Sequence, residues 1–148
     1  MFARISPVIL ALAAVACSDS AGPSSQPSLA QLTGAWDLSR LEMLLASDTS
    51  VSRDVRTESG LTATLTIAVN GAATLVAAVP GQPEITVSAT ISLRGDTIVY
   101  EVEGYTYEAI VRLASRTMTW RSVETGYYDL DDNGSAEAVL ERDVWQRR

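Results

Sequence analysis

Apolar and polar residues alternate along most of this chain with the period of two that puts one face of a β-strand inside and the other in water. From Leu61 to Val69 every odd position is apolar, and three of the four even ones are threonine. Asn70-Gly71 follows, a dipeptide suited to the positive φ angles of a two-residue hairpin turn, and Ala72 to Val79 reads as the returning strand. The alternation recurs in Ile85 to Leu93 after a Pro80-Gly81-Gln82-Pro83 loop, then in Thr97 to Glu103, Tyr105 to Ala114, Thr117 to Thr125 and Ala136 to Gln146. With Gly34 to about Ala46 at the front, eight strands are expected. Asp37 to Ser47 is ambiguous, because Ser39 and Glu42 have capping-box spacing and Leu38, Leu41 and Leu45 stand at helical intervals.

Connections this short leave no room for crossover helices, so the expected fold is all-β with an antiparallel sheet. Eight such strands with a single apolar face hide it, and abolish their edges, by closing into an up-and-down barrel; a two-sheet β-sandwich is the alternative. With the odd phases inward, the lumen is lined by Leu61, Ala63, Leu65, Ile67, Ala73, Leu75, Ala77, Ile85, Val87, Ala89, Ile91, Tyr105, Tyr107 and Ala109. The alanines leave room for a small apolar pocket with Tyr100, Tyr105, Tyr107 and Trp120 as contacts, whereas ordinary packing density favours a filled interior.

The first residues carry one positive charge, Arg4, before a run from Ile5 to Ala16 that is apolar apart from Ser6 and Pro7. That layout matches a secretory signal peptide over 1–16, too short to span a bilayer as a helix. Ala14-Val15-Ala16-Cys17 resembles the lipobox of bacterial lipoproteins, which implies cleavage before Cys17 and lipidation of its thiol. Cys17 is the only cysteine, so a disulfide within one chain is excluded, and Ser18-Asp19-Ser20 directly after it does not suit a core position. More than one acyl chain would make the anchor stable. Residues 17–28, rich in serine, proline and glycine, read as the lipidated cysteine and a flexible linker, and 29–148 as one domain. The expected location is the bacterial cell envelope, lipid-anchored, with the domain facing the periplasm or the exterior.

Eleven basic against eighteen acidic residues give a net charge of −7, and loss of Arg4 with the leader makes the mature chain more acidic still. Nucleic acid is therefore a poor partner. The chain has no histidine, so Ser-His and Cys-His nucleophile pairs and the usual zinc sites are absent. Carboxylate chemistry of the hydrolase type remains as an alternative, but Glu101, Glu103, Glu108, Glu124 and Glu141 read mostly as solvated strand positions, so no enzyme is expected. In Asp129-Leu130-Asp131-Asp132-Asn133-Gly134-Ser135-Ala136-Glu137 the oxygen ligands Asp129, Asp131, Asn133 and Glu137 have the opening spacing of a calcium loop. Leu140 stands where a bidentate glutamate belongs, and a plain turn closed by Asn133-Gly134 at positive φ explains the same residues. Arg94-Gly95-Asp96 reads as a hairpin turn rather than an adhesion signal.

Gly34-Ala35-Trp36 resembles the Gly-x-Trp opening of lipocalin-like barrels, with the long segment Ser47 to Gly60 where such barrels carry a lid loop. The resemblance implies that Trp36 closes one barrel end with an arginine of the last strand, Arg142 or Arg147, lying over it. In the barrel interior, a small apolar ligand is expected to touch Trp36, Leu65, Ile67, Tyr100, Tyr105, Tyr107 and Trp120. The Thr-Asp-x-Tyr turn of that family and its C-terminal helix are not found here. The alternative is a filled barrel that meets an envelope protein through an exposed apolar patch near Val139, Val144 and Trp145.

Overall fold

The computed structural model describes residues 26–148. The expected leader 1–16, Cys17 and the expected linker as far as residue 25 lie outside the described residues. Two short helices and ten strands follow: α1 (Leu29–Leu32), β1 (Gly34–Leu45), β2 (Asp48–Asp54), α2 (Val55–Ser59), β3 (Thr62–Ile67), β4 (Ala72–Ala78), β5 (Ile85–Arg94), β6 (Thr97–Val102), β7 (Tyr105–Ala114), β8 (Thr117–Ser122), β9 (Gly126–Tyr128) and β10 (Glu137–Arg147). All pairings are antiparallel, in the order β2-β1-β3-β4-β5-β6-β7-β8-β10-β9, and β1 also pairs with β10. That last ladder, from Trp36 opposite Arg147 to Leu45 opposite Val139, closes an eight-stranded barrel and excludes the sandwich. The two additional strands, β2 and β9, are extensions at one end of it.

The ambiguous front segment is strand as far as Leu45, and Ala46 and Ser47 form the turn that follows. A bulge between Leu38 and Arg40 shifts the register against β10, and the Ser39 hydroxyl donates to the Val144 carbonyl at 2.8 Å. One extra residue puts two inward leucines, Leu38 and Leu41, three apart instead of two, which imitates a helical interval. The expected loop Ser47 to Gly60 is mostly ordered as β2 and α2. Asp54 caps α2 through the Thr57 amide and hydroxyl, and Gly60 ends it in the left-handed region. The first hairpin also differs from its expected form. Only Gly71 has positive φ, at 86°, and Ala68 donates to the Ala72 carbonyl, so the loop is Val69-Asn70-Gly71 with glycine in the bulge position. Asn70 instead accepts the Ala72 amide at 3.0 Å on its side chain.

The barrel has one closed end. Ser28 and Gln31 form a reciprocal capping box on α1, which lays Leu32 across the opening. The Trp36 indole beneath donates to the Leu32 carbonyl at 2.7 Å, and both residues are fully buried. Arg147 supplies the outer layer: its guanidinium carbon lies 4.3 Å from the Trp36 ring centroid, and it donates to the carbonyls of Thr33 and Gln31. Arg142, the other candidate for that position, is on the opposite phase of β10, where it pairs with the buried carboxylate of Glu42 at 2.8 Å. Above Trp36 the lower half of the barrel is solid, packed with Ile67, Ile91, Ile98, Val111 and Met118.

Arg94-Gly95-Asp96 is the β5–β6 turn, as expected. Arg94 approaches Glu108 at 3.6 Å and Asp96 approaches Arg112 at 3.7 Å, so both charges pair along the barrel wall.

Candidate functional site

The upper half of the barrel is not filled. A cavity of about 220 Å³ opens there, bounded by Leu65, Leu75, Val87, Ala89, Ile91, Tyr100, Val102, Trp120, Glu141, Asp143 and Trp145. Tyr100 and Glu141 also border a second hollow of about 380 Å³ at the mouth, with Met43, Tyr107, Ser122, Tyr127, Tyr128 and Val139 among its walls. The two spaces adjoin at Tyr100 and Glu141 and are taken together as one passage at the open end. Ala63, Ala73, Ala77 and Ala89 stand at inward positions of β3, β4 and β5, and their small side chains leave that wall thin.

Aromatic rings step down one side of the passage. Tyr107 stacks on Tyr100 with centroids 5.3 Å apart, Tyr100 on Trp120 at 5.8 Å, and Trp120 lies 6.1 Å from Trp145 in a tilted arrangement. The cross-strand register creates this ladder, because Tyr100 pairs with Tyr107 across β6 and β7, and Val111 with Trp120 across β7 and β8.

Of the seven residues expected to touch a ligand, Leu65, Tyr100 and Trp120 line the cavity and Tyr107 the mouth. Trp36 and Ile67 lie in the packed floor below, and Tyr105 is at the rim, 68% exposed. The expected outer patch is different from the structure. Val139 and Trp145 are buried and face inward on β10, and Val144 is half-buried on the opposite phase, so these three residues form no exposed apolar surface. The exposed apolar side chains Ile85, Tyr105, Val123 and Tyr127 instead stand at the open end.

Two further groups were not anticipated. Glu141 had been assigned to a solvated face, but it and Asp143 occupy alternate positions of β10 and both point into the passage. Glu141 is exposed to solvent where it borders both the cavity and the mouth. Burial raises its pKa. Asp143 lies deeper: burial, and then the charge of Glu141, push its pKa well above the ordinary carboxylate value. Its Oδ1 is buried with no hydrogen-bond partner, and the indole N–H groups of Trp120 and Trp145 are likewise unpartnered. Burial first, and the two carboxylates after it, push Tyr100 up to about 12. The clue available in the sequence was phase: Val139, Glu141, Asp143 and Trp145 share one parity, and Trp145 is the residue of that set most in need of cover.

The acidic loop brings one oxygen each of Asp129, Asp131 and Glu137 within 4.8 Å of one another. Asn133 turns its side-chain oxygen to the Ser135 amide at 2.8 Å. Asp129 accepts the Asn133 and Gly134 amides at 3.1 and 2.8 Å, Asp131 accepts Asn133 at 3.2 Å, and Glu137 accepts Leu130 at 2.9 Å. These bonds explain the arrangement as a turn. Its positive φ angles fall at Asp132 and Gly134, not at Asn133. Arg53 of β2 fastens the loop, reaching Asp132 at 2.7 Å and the Asp129 carbonyl at 3.3 Å while also pairing with Glu58 at 2.6 Å. The two extensions at the open end are thereby tied together beside the mouth.

No helix among the described residues is long and apolar enough to cross a membrane. Compared with known proteins, the chain matches no family model, and no curated protein is significantly similar to it.

Proposed function

We propose that this chain is a lipocalin-like binding module of the bacterial cell envelope, lipid-anchored at Cys17, that holds one small and largely apolar molecule in the upper half of its barrel without transforming it. The observation that carries the reading is the half-filled interior. A floor sealed by α1, Trp36 and Arg147 lies below a cavity of about 220 Å³ that opens through an aromatic mouth. Ligand sites are typically concave and apolar with few polar groups, and this passage has that composition. Arg147 over Trp36 supports the lipocalin-like reading, and exposed Tyr105 and Ile85 at the rim offer an apolar solute a first contact.

Hydrolysis is the weaker reading even though two carboxylates share the lumen. Glu141 and Asp143 are two residues apart on one strand and project side by side, whereas acid–base pairs at a glycosidic bond flank it from two sides. A scaffold role with a filled core is opposed by the open upper half.

Native mass spectrometry of the protein purified gently from its own envelope tests both parts of this reading. The expected result is a mature chain whose mass includes acylation at Cys17, together with a co-purifying small molecule at one per chain. An unacylated chain would overturn the anchor. An empty chain that also takes up no apolar probe would overturn the binding role.

A further inference from the structure

We infer that the molecule taken into the lumen carries a positively charged nitrogen, placed beside Glu141 and Asp143 and against the faces of Trp120 and Trp145, with its apolar body on Leu65, Leu75 and Ile91. This rests on the binding reading above and adds the chemical class of the ligand.

Charge is the first argument. Every titratable group on the walls of the cavity and the mouth is acidic or phenolic: Glu141 and Asp143 of β10, Tyr100 of β6, Tyr107 and Glu108 of β7, and Glu124, Tyr127 and Tyr128 beyond β8. The walls given by β1, β3, β4 and β5 are uncharged there, and β8 adds only Trp120 and Ser122. Arg147 is committed to the floor and Arg142 to Glu42 on the outside. The lumen thus holds two neighbouring carboxylates with no cation of the protein facing them. Glu141 is exposed and Asp143 is the more buried of the two; a charge withdrawn from water without a partner is costly, and a bound cation removes that cost.

The second argument is independent of charge. Asp143 Oδ1 is buried inside the cavity wall and accepts no hydrogen bond, where nearly all buried polar atoms are paired. Asp143 lines the cavity, so a turn of its carboxylate brings Oδ1 within reach of an ammonium group there, a donor that supplies the missing bond. Tyr100, Trp120 and Trp145 line the same cavity as Asp143, and aromatic rings attract a desolvated cation.

Calorimetric titration of the full chain with phenethylamine and with 2-phenylethanol compares a cation with a neutral molecule of the same size and shape. At about pH 7.5 the amine should bind roughly tenfold more tightly or better, a difference of about 1.4 kcal/mol. Asp143→Asn, which keeps the shape, should bring the two affinities close together. Acidification should weaken the amine in the unmutated protein, as protons compete for the carboxylates, and leave the alcohol unchanged; this second readout needs no variant. Equal affinities would overturn the inference and leave the binding reading standing, as would binding of an uncharged naphthalene probe but of neither phenethyl compound. Failure of all three to bind would overturn the binding reading itself.

Discussion

Replacing Gly71 with alanine should cost on the order of 3 kcal/mol and lower the melting temperature by about 10 °C, because two penalties coincide at this position. The first is conformational: φ is 86°, where an L side chain is strained. The second is steric. A Cβ on Gly71 would penetrate the carbonyl oxygen of Ile91, a backbone atom of β5 that cannot rotate away. The close approach is functional for the fold, since Ile91 donates its amide to the Gly71 carbonyl at 2.8 Å and so locks the first hairpin onto β5. Gly81→Ala is the matching control. Its φ is 79°, but nothing lies within 4 Å of its added Cβ, so only the conformational cost of about 1 kcal/mol is expected. Thermal denaturation of the two variants separates the terms, and equal losses would show that the contact with β5 does not matter.

Replacing Asp143 with asparagine should do the opposite and stabilise the empty protein at neutral pH, by about 1–2 kcal/mol. The carboxylate is held above its ordinary pKa by burial and by Glu141, so between the unfolded value near 3.8 and the higher folded value the native state binds more protons than the unfolded chain. Stability therefore falls as pH rises through that window, and above it the full penalty applies. At the acid end the slope reverses. Asp37 is held below its usual range by the Arg148 hydrogen bond, against the effect of burial, and its contribution is lost as pH falls through its folded pKa. The unmutated protein should thus be most stable in mild acid, and Asp143→Asn should flatten the decline toward neutrality. Chemical denaturation across pH checks this, and a variant less stable than the parent at neutral pH would show that Asp143 has a partner inside the barrel. A residue that weakens the empty fold is intelligible if a ligand needs it.

The sequence carried the frame well and the centre of the site poorly, for reasons that trace to particular residues. Leu61 to Val69 and Ile85 to Leu93 alternate cleanly because one face of each is inside and the other in water, and seven of the eight barrel strands follow from that pattern and the turns between them. The Ser39 bulge was hidden because it changes the spacing of Leu38 and Leu41 to a helical one. The segments β2 and β9 were missed for lack of an apolar phase, since most of their side chains are exposed. Leu65 could be placed on the cavity wall by parity, whereas Tyr100 and Trp120, at even positions, were placed there as aromatic contacts. Glu141 and Asp143 could not, because charged residues on a strand are ordinarily solvated. Parity stayed consistent through β10, but residue type argued against it, and the exception fell where the candidate site is.

The most direct test of the binding claim is titration of the protein with N-phenyl-1-naphthylamine, an uncharged fluorescent probe, alongside Ala89→Trp, which places a large side chain in the cavity, and Thr90→Trp, which places the same one on the outside. The expected result is saturable binding of one probe per chain with energy transfer from Trp120 and Trp145, kept in Thr90→Trp and lost in Ala89→Trp while the far-ultraviolet spectrum of both variants stays that of a barrel. Undiminished binding in a folded Ala89→Trp variant, or a parent that takes up neither this probe nor the phenethyl compounds, would contradict the account.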